Sequence, residues 1–84
     1  MNNTQILKRK LRWKCRRGML ELDIMLANFF DQHYDALNEK DKQLFIQVLE
    51  MDDTQLFACL MQAETVQDQD LMEMLRRISD AKKI

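Results

Sequence analysis

The stretch MLELDIMLANFFDQHYDAL, residues 19–37, carries the pattern that decides the fold. Its apolar positions recur every three or four residues, which is the spacing of one face of an α-helix. These positions are Leu22, Met25, Leu26, Phe29, Phe30, His33 and Leu37. The pattern predicts an amphipathic helix over about residues 19–36, which we expect to be the longest helix and the central one in the core.

The composition of the whole chain favours the same structural class. Its 84 residues include one glycine and no proline, whereas 46% are hydrophobic and 32% are charged. An all-β domain of this length needs many more turn-forming residues. We therefore predict an all-α fold, a compact five-helix bundle in one domain over residues 1–84. Its parts are a basic N-terminal arm or helix at 1–17, a helical body at 18–80 and a short C-terminal tail.

Four shorter helices complete this prediction. The first spans about residues 4–15 and docks through Leu7, Leu11 and Cys15, which are spaced at i, i+4 and i+8. The third and fourth begin at side-chain caps, Asn38 and Asp52 respectively. Thr65 is predicted to cap the fifth, whose apolar face is Leu71, Met74, Leu75 and Ile78. Because the connections are short, we expect successive helices to pack as neighbours.

The methionines divide into two groups. Four lie on apolar stripes and are assigned to the core: Met25, Met51, Met61 and Met74. Met19 and Met72 lie off the stripes. Met19 follows the only glycine, where an exposed and flexible thioether suits a protein contact.

The charges are distributed unevenly along the chain. Residues 1–17 hold seven basic side chains and no acidic one, so the other 67 residues hold 13 − 7 = 6 basic and 14 acidic side chains, a balance of −8. Gly18, which follows this basic arm, can adopt backbone angles that other residues avoid. These features favour a surface that binds another protein. A nucleic-acid contact, an amphipathic membrane helix and a solvated arm remain alternatives, although the acidic body and the thin apolar face argue against the first two.

The sequence predicts no catalytic, metal-binding or cofactor-binding residues, and hence no enzyme. His33 is the only histidine, and Cys15 and Cys59 are 44 residues apart without a CxxC motif. The cations around Cys15 could lower its pKa, but no partner for a catalytic thiol is evident. We expect two reduced thiols. No apolar run approaches the ~20 residues of a membrane span, and the N-terminus lacks the apolar stretch of a secretory signal, so we expect a cytoplasmic protein.

The segment around Gly18 also carries a family resemblance. Arg17, Gly18 and Glu21 form the pattern Arg-Gly-x-x-Glu within WKCRRGMLELD, residues 13–23. The chain resembles the SdhE family of assembly factors for the succinate dehydrogenase flavoprotein subunit. The similarity covers about residues 10–78 and includes Phe29-Phe30, Tyr34-Asp35-x-Leu37 and the run from Phe45 through Leu49-Glu50, Asp52-Asp53 and Leu56-Phe57 to Leu60-Met61.

The resemblance implies a five-helix protein that binds this flavoprotein subunit, and in bacteria also that of fumarate reductase. By the same resemblance, such a protein is expected to favour a conformation of its client in which the client attaches FAD covalently to itself. FAD then resides on the client, and we expect no stably bound cofactor on this chain, which is expected to be a monomer when free. Family members have also been described as the antitoxin half of a toxin–antitoxin pair, which remains the alternative.

The predicted partner-binding surface is centred on Gly18, at the start of the long helix. Arg17 is expected to orient an acidic or carbonyl acceptor of the client, and Glu21 a donor. The remaining predicted members are Trp13 and Met19 for apolar contact, Arg16, Lys10 and Arg12 for a basic rim that speeds encounter, and Asp23 in the first turn of the helix. We expect Gly18→Arg to block binding while leaving the melting temperature close to that of the unmodified chain.

Overall fold

The computed structural model describes residues 3–81, which form five α-helices, one short 3₁₀-helix and no strand. The helices are α1 (Asn3–Lys14), α2 (Leu20–His33), α3 (Glu39–Leu49), α4 (Asp53–Leu60) and α5 (Gln69–Ala81), with the 3₁₀-helix at Tyr34–Ala36. The Cα radius of gyration is 12.2 Å, against roughly 12 Å expected for a folded chain of this length. The predicted all-α bundle is confirmed. Its division at residues 17 and 80 stays a prediction, and residues 82–84 of the predicted tail lie outside the described residues.

Side-chain caps start α3 and α4 where the sequence predicts them. Asn38 Oδ1 accepts a hydrogen bond from the Asp41 N–H at 2.8 Å, and Asp52 Oδ1 accepts one from the Gln55 N–H at 2.9 Å. These bonds satisfy amide groups that have no carbonyl partner in the first turn of a helix. Both predicted helix starts are confirmed.

The predicted start of α5 at Thr65 is wrong. Asp68 is the residue whose Oδ1 accepts from the N–H groups of Asp70 and Leu71, at 3.0 and 3.1 Å. An aspartate at this position provides the acceptor that Thr65 was expected to provide, and α5 begins only at Gln69. The connection from α4 is therefore longer than predicted.

The end of α4 explains part of this extra length. Gln62 takes a left-handed conformation with φ 63°, and its N–H donates to the Cys59 carbonyl at 3.1 Å. The next residue, Ala63, donates to the Ala58 carbonyl at 2.8 Å. This pair of bonds is the Schellman arrangement that turns a chain sharply away from a helix. Met61 lies at this turn and is exposed, so its assignment to the core is wrong.

The helix with the most neighbours is α5, which packs against α2, α3 and α4, while α1 packs against α3. Successive helices also touch, since α4 packs on α5 and side chains of α2 reach both α1 and α3, but the most extensive contacts are those of α5 with α3 and α2. The burial of Met72, which was predicted to lie off the stripe, widens the buried face of α5. Although α2 is the longest described helix at 14 residues, the central position in the bundle belongs to α5.

Six of the seven positions of the predicted apolar stripe are buried, and His33 is half-buried. Phe29 and Phe30 extend from α2 toward Phe45 of α3, with ring centroids 5.7 and 6.0 Å apart, and Tyr34 stacks on Phe30 at 4.8 Å. The last predicted turn of α2 is the 3₁₀-helix, so the α-helix itself ends at His33. This aromatic cluster joins the end of α2 to α3.

Two ion pairs run along the side of α1. Lys8 Nζ lies 2.8 Å from an Asp35 oxygen, and Arg12 donates to both carboxylate oxygens of Asp31 at 2.9 and 3.1 Å. Since later residues of α1 pair with earlier acidic residues, α1 lies antiparallel to the end of α2. Leu11 is buried beneath these pairs, whereas Leu7, predicted to dock with it, is exposed.

We predict that burial of Leu11, rather than these exposed ion pairs, holds α1 in place. Leu11→Ala should lower the free energy of unfolding by about 2–4 kcal/mol, because it removes a fully buried side chain. Arg12→Ala should lower it by less than about 1 kcal/mol, since an exposed pair contributes little. Urea unfolding measures both values, with Leu7→Ala as the exposed control. Equal losses for Leu11→Ala and Arg12→Ala would contradict this explanation.

Candidate partner-binding site

The candidate site is built on residues 15–19, which connect α1 to α2. Gly18 lies in this loop with φ +81°, and a Cβ atom added there would meet no atom within 4 Å. A side chain is therefore excluded by backbone conformation and not by crowding. The prediction that Gly18 occupies a special backbone position is confirmed. Its Cα faces open space, two residues before α2 begins.

The Arg17 side chain points into the protein and is only 14% exposed. Its Nε donates to Asp53 Oδ1 at 2.8 Å, its Nη1 donates to the Leu49 carbonyl at 2.6 Å, and its Nη2 donates to the Met51 carbonyl. Leu49 is the last residue of α3, where carbonyl groups lack partners within the helix and attract cations. The carboxylate and carbonyl acceptors predicted for Arg17 are thus present, but they belong to its own chain.

The backbone of Arg17 is held as well. Its N–H donates to Asp23 Oδ1, across the start of α2. Asp23 was predicted to contact a partner, and the structure shows this carboxylate bonding within the loop that carries Gly18. Whether a partner also contacts Arg17 or Asp23 stays a prediction. Arg17 is not helical, so the helical pairing that the four-residue spacing to Glu21 would allow does not apply; Glu21 is exposed in the first turn of α2.

Exposed apolar side chains border Gly18 in the sequence on both sides. Trp13 is 70% exposed at the end of α1, and Met19 is exposed directly after Gly18. The sequence prediction missed two more: Leu20, 71% exposed, and Ile24, 50% exposed. They are four residues apart and therefore share a face of α2. The signal was present, because both are large apolar residues off the buried stripe of that helix. Together we call Trp13, Met19, Leu20 and Ile24 the apolar rim.

The cations of the arm fall into two structural groups. Lys8, Arg12 and Arg17 form ion pairs with acidic residues of the body, and the hydrogen bond to Asp31 raises the pKa of Arg12. The second group is exposed: Arg9, Lys10, Lys14 and Arg16. The Arg16 guanidinium lies 5.5 Å from the centroid of the Trp13 ring, a cation–π arrangement that sets a positive charge beside the apolar rim. The predicted basic rim is therefore carried by Lys10 and Arg16 more than by Arg12.

The structure offers no activated thiol here. Cys15 and Cys59 are both free and buried, and Cys15 Sγ lies 3.4 Å from the Leu11 carbonyl as a donor. Burial raises the pKa of Cys15 from 9.0 to about 11, and it outweighs the lowering by Arg12. Arg12 and Arg17 do act to lower this pKa, as expected, but burial has the larger effect and the pKa is raised overall. Burial also raises the pKa of Cys59.

Within residues 3–81, no group of three or more His, Cys, Asp or Glu side chains is placed to hold a metal ion. No helix in this part of the chain is long and apolar enough to cross a lipid bilayer. What the site contains is a bare glycine, an apolar rim and exposed cations, which is a set of features suited to binding a protein.

The fold and the candidate site together describe a small helical protein whose exposed features are suited to binding another protein. Comparison with known proteins identifies the family to which this helical protein belongs. Residues 9–82 match the family Sdh5, flavinator of succinate dehydrogenase. The FAD assembly factor SdhE of Idiomarina loihiensis is 49% identical over 69 residues, covering 82% of this chain and 77% of the relative. The SdhE of Yersinia pseudotuberculosis is 45% identical over 76 residues, covering 90% and 86%, and that of Shewanella oneidensis is 45% identical over 69 residues, covering 82% and 84%.

The chain belongs to the Sdh5 family of succinate dehydrogenase flavinators. The resemblance to SdhE and the predicted class of function, FAD assembly, are confirmed. The antitoxin and nucleic-acid alternatives find no support in these matches.

The raised pKa of Cys15 predicts how stability depends on pH. The folded protein holds the thiol proton up to about pH 11, whereas the unfolded chain releases it near 9.0. Between these values the folded state binds more protons, so stability falls as pH rises, by up to about 1.4 kcal/mol per pH unit from this thiol. Urea unfolding at pH 8, 9, 10 and 11 should therefore show a shallower decline for Cys15→Ala than for the unmodified chain. Parallel declines would show that the thiol titrates alike in both states.

Proposed function

We propose that this chain binds the flavoprotein subunit of succinate dehydrogenase through the Gly18 loop and the apolar rim, and so promotes covalent attachment of FAD to that subunit. The flavoprotein subunit of fumarate reductase is a second client in this proposal. Family membership supports the reaction. The observation that carries the location of the surface is the open space at Gly18, together with the exposed apolar side chains close to it in the sequence.

The chain acts in this proposal as a non-catalytic assembly factor. The client supplies the residue that becomes flavinylated, and FAD stays on the client, so this chain holds no stably bound flavin. The non-catalytic role is supported by the state of Cys15, the thiol closest to Gly18 in the sequence, which is buried and has a raised pKa. A protein that favours one conformation of a client needs only binding energy that differs between two client conformations. We further propose that the free chain is a monomer and works in the cytoplasm.

A glycine at this position lets a client backbone approach closely. A test of this contact must separate the size of an added side chain from the backbone strain that any side chain causes at Gly18. Any side chain at φ +81° costs about 1–2 kcal/mol, which corresponds to roughly 4–16 °C in melting temperature for a chain of this size. This strain argues against the expectation that Gly18→Arg leaves the melting temperature close to that of the unmodified chain. Gly18→Ala carries the same strain and adds only a methyl group, so it is the matched control.

We predict that Gly18→Arg abolishes stimulation of flavinylation, whereas Gly18→Ala retains most of it at a similar melting temperature. The assay combines the purified flavoprotein subunit with FAD and each variant, then measures protein-bound flavin fluorescence after denaturation. A mixture without this chain gives the background. Full stimulation by Gly18→Arg, or equal loss in both variants, would contradict a close approach at Gly18.

The apolar rim gives a second and independent test. Leu20→Glu and Ile24→Glu should each weaken client binding roughly tenfold, about 1.4 kcal/mol, because each places a charge in a desolvated contact. Neither should change the melting temperature by more than about 3 °C, since the replaced side chains are exposed. Met61→Glu, at an exposed methionine on the turn after α4, is the matched control. Titration of the flavoprotein subunit by calorimetry measures the affinities, and equal weakening by Met61→Glu would rule out a specific rim.

A further inference from the structure

Arg17 connects three segments of the chain through one side chain. We propose that Arg17 and Asp53 form a latch that positions the Gly18 loop for the client, so that Arg17 acts through the loop and does not itself contact the client. This inference rests on the proposed function and assigns a positioning role to Asp53, which sequence analysis did not place in the site. By latch we mean the Arg17 guanidinium together with its acceptors, Asp53 and the carbonyls of Leu49 and Met51.

The first argument is that few Arg17 donors remain for a client. A guanidinium has five N–H donors in a planar fork. Nε is used by Asp53, Nη1 by the Leu49 and Lys14 carbonyls at 2.6 and 3.4 Å, and Nη2 by Met51. A client could recruit this side chain only by removing it from groups that it already satisfies. Two of these groups are carbonyls at the end of α3 and in the turn after it, and they would lose a charged donor.

The second argument is that the two ends of Arg17 are fixed to different elements. Its side chain is held by the turn between α3 and α4, while its N–H is held by Asp23 of α2. Gly18 is the next residue, and α2 begins two residues later. With Arg17 fixed at both ends, little freedom remains in the peptide that orients Gly18. The latch therefore fixes the position of the Gly18 loop relative to the α3–α4 turn.

The third argument is that the fork shape of arginine is required. The acceptors of Arg17 are a carboxylate and several carbonyls in different directions, which a planar guanidinium can satisfy together and a single ammonium group cannot. If Arg17 instead served a client as a simple positive charge, lysine would keep much of its effect. Arg17→Lys thus separates the two roles, and the latch predicts that this substitution loses function.

The chain contains a matched control for breaking the latch. Asp53 in the first turn of α4 pairs with Arg17 at 2.8 Å, and Asp41 in the first turn of α3 pairs with Arg77 of α5 at 3.0 Å. Both aspartates lie near the positive end of a helix dipole. Asp53→Ala and Asp41→Ala should therefore lower the melting temperature to a similar extent, by roughly 5 °C. Only the first lies next to the Gly18 loop.

Two measurements test the latch. Hydrogen exchange of the amides of residues 16–20, without any client, should be at least tenfold faster in Asp53→Ala and Arg17→Lys than in Asp41→Ala. Client affinity, by calorimetry against the flavoprotein subunit, should fall about tenfold in the same two variants and less than twofold in Asp41→Ala. Asp53→Glu, which keeps a carboxylate, should restore part of both values.

The outcomes separate the latch from the proposed function. Unchanged exchange at residues 16–20 in Asp53→Ala would overturn the latch, whatever the client does. Equal loss of affinity in Asp41→Ala would also overturn it, because a general loss of stability would then explain the effect. Retained affinity in Arg17→Lys would show that charge alone is sufficient and overturn it as well. If the unmodified chain fails to bind the flavoprotein subunit while the exchange result is as expected, the proposed function fails and the loop geometry stands.

Discussion

The carbonyl of Leu49, the last residue of α3, and that of Met51 in the following turn both accept hydrogen bonds from the Arg17 guanidinium. This one side chain brings the loop after α1 against the turn between α3 and α4. Charge-assisted hydrogen bonds of this kind are stronger than neutral ones, and a side chain that is 14% exposed is shielded from most competing water. The position of the Gly18 loop, and with it the candidate surface, depends on this contact.

The surface itself contributes little to the stability of the fold. Trp13, Leu20 and Ile24 are at least half exposed, whereas Leu22, Met25 and Leu26 on the same helix as the last two are buried. Changes at the exposed positions can therefore alter binding without disturbing the core, while changes beneath them affect both. Gly18 is the exception among the exposed positions, since its backbone angle makes any side chain destabilising even where space is available.

The sequence predicted those parts of the structure that depend on local rules. The apolar stripe of α2 and the caps at Asn38 and Asp52 are set by residues within a few positions of one another, and all were predicted correctly. The predicted start of α5 was wrong because two acceptable caps, Thr65 and Asp68, stand three residues apart, and the prediction chose the one that does not accept the bonds. The contacts that Arg17 makes within its own chain were not predicted, for a similar reason. Its acceptors lie 32 to 36 residues away, and no local pattern reveals that distance.

The same distant pairing changes the meaning of the basic arm. From the sequence, seven cations without an acid resemble a polybasic segment that could attract phosphate groups. In the structure Lys8, Arg12 and Arg17 are paired with Asp35, Asp31 and Asp53, so part of that charge joins the arm to the body. Four exposed cations of the arm remain, whereas residues 18–84 carry a formal net charge of −8. With only four phosphate contacts, binding to nucleic acid would be weak at physiological salt. Arg16 lies over the ring of Trp13, so a positive charge and an exposed apolar side chain occur together on this face. A partner protein that presents an acidic patch beside an apolar centre would therefore match it better than a nucleic acid would.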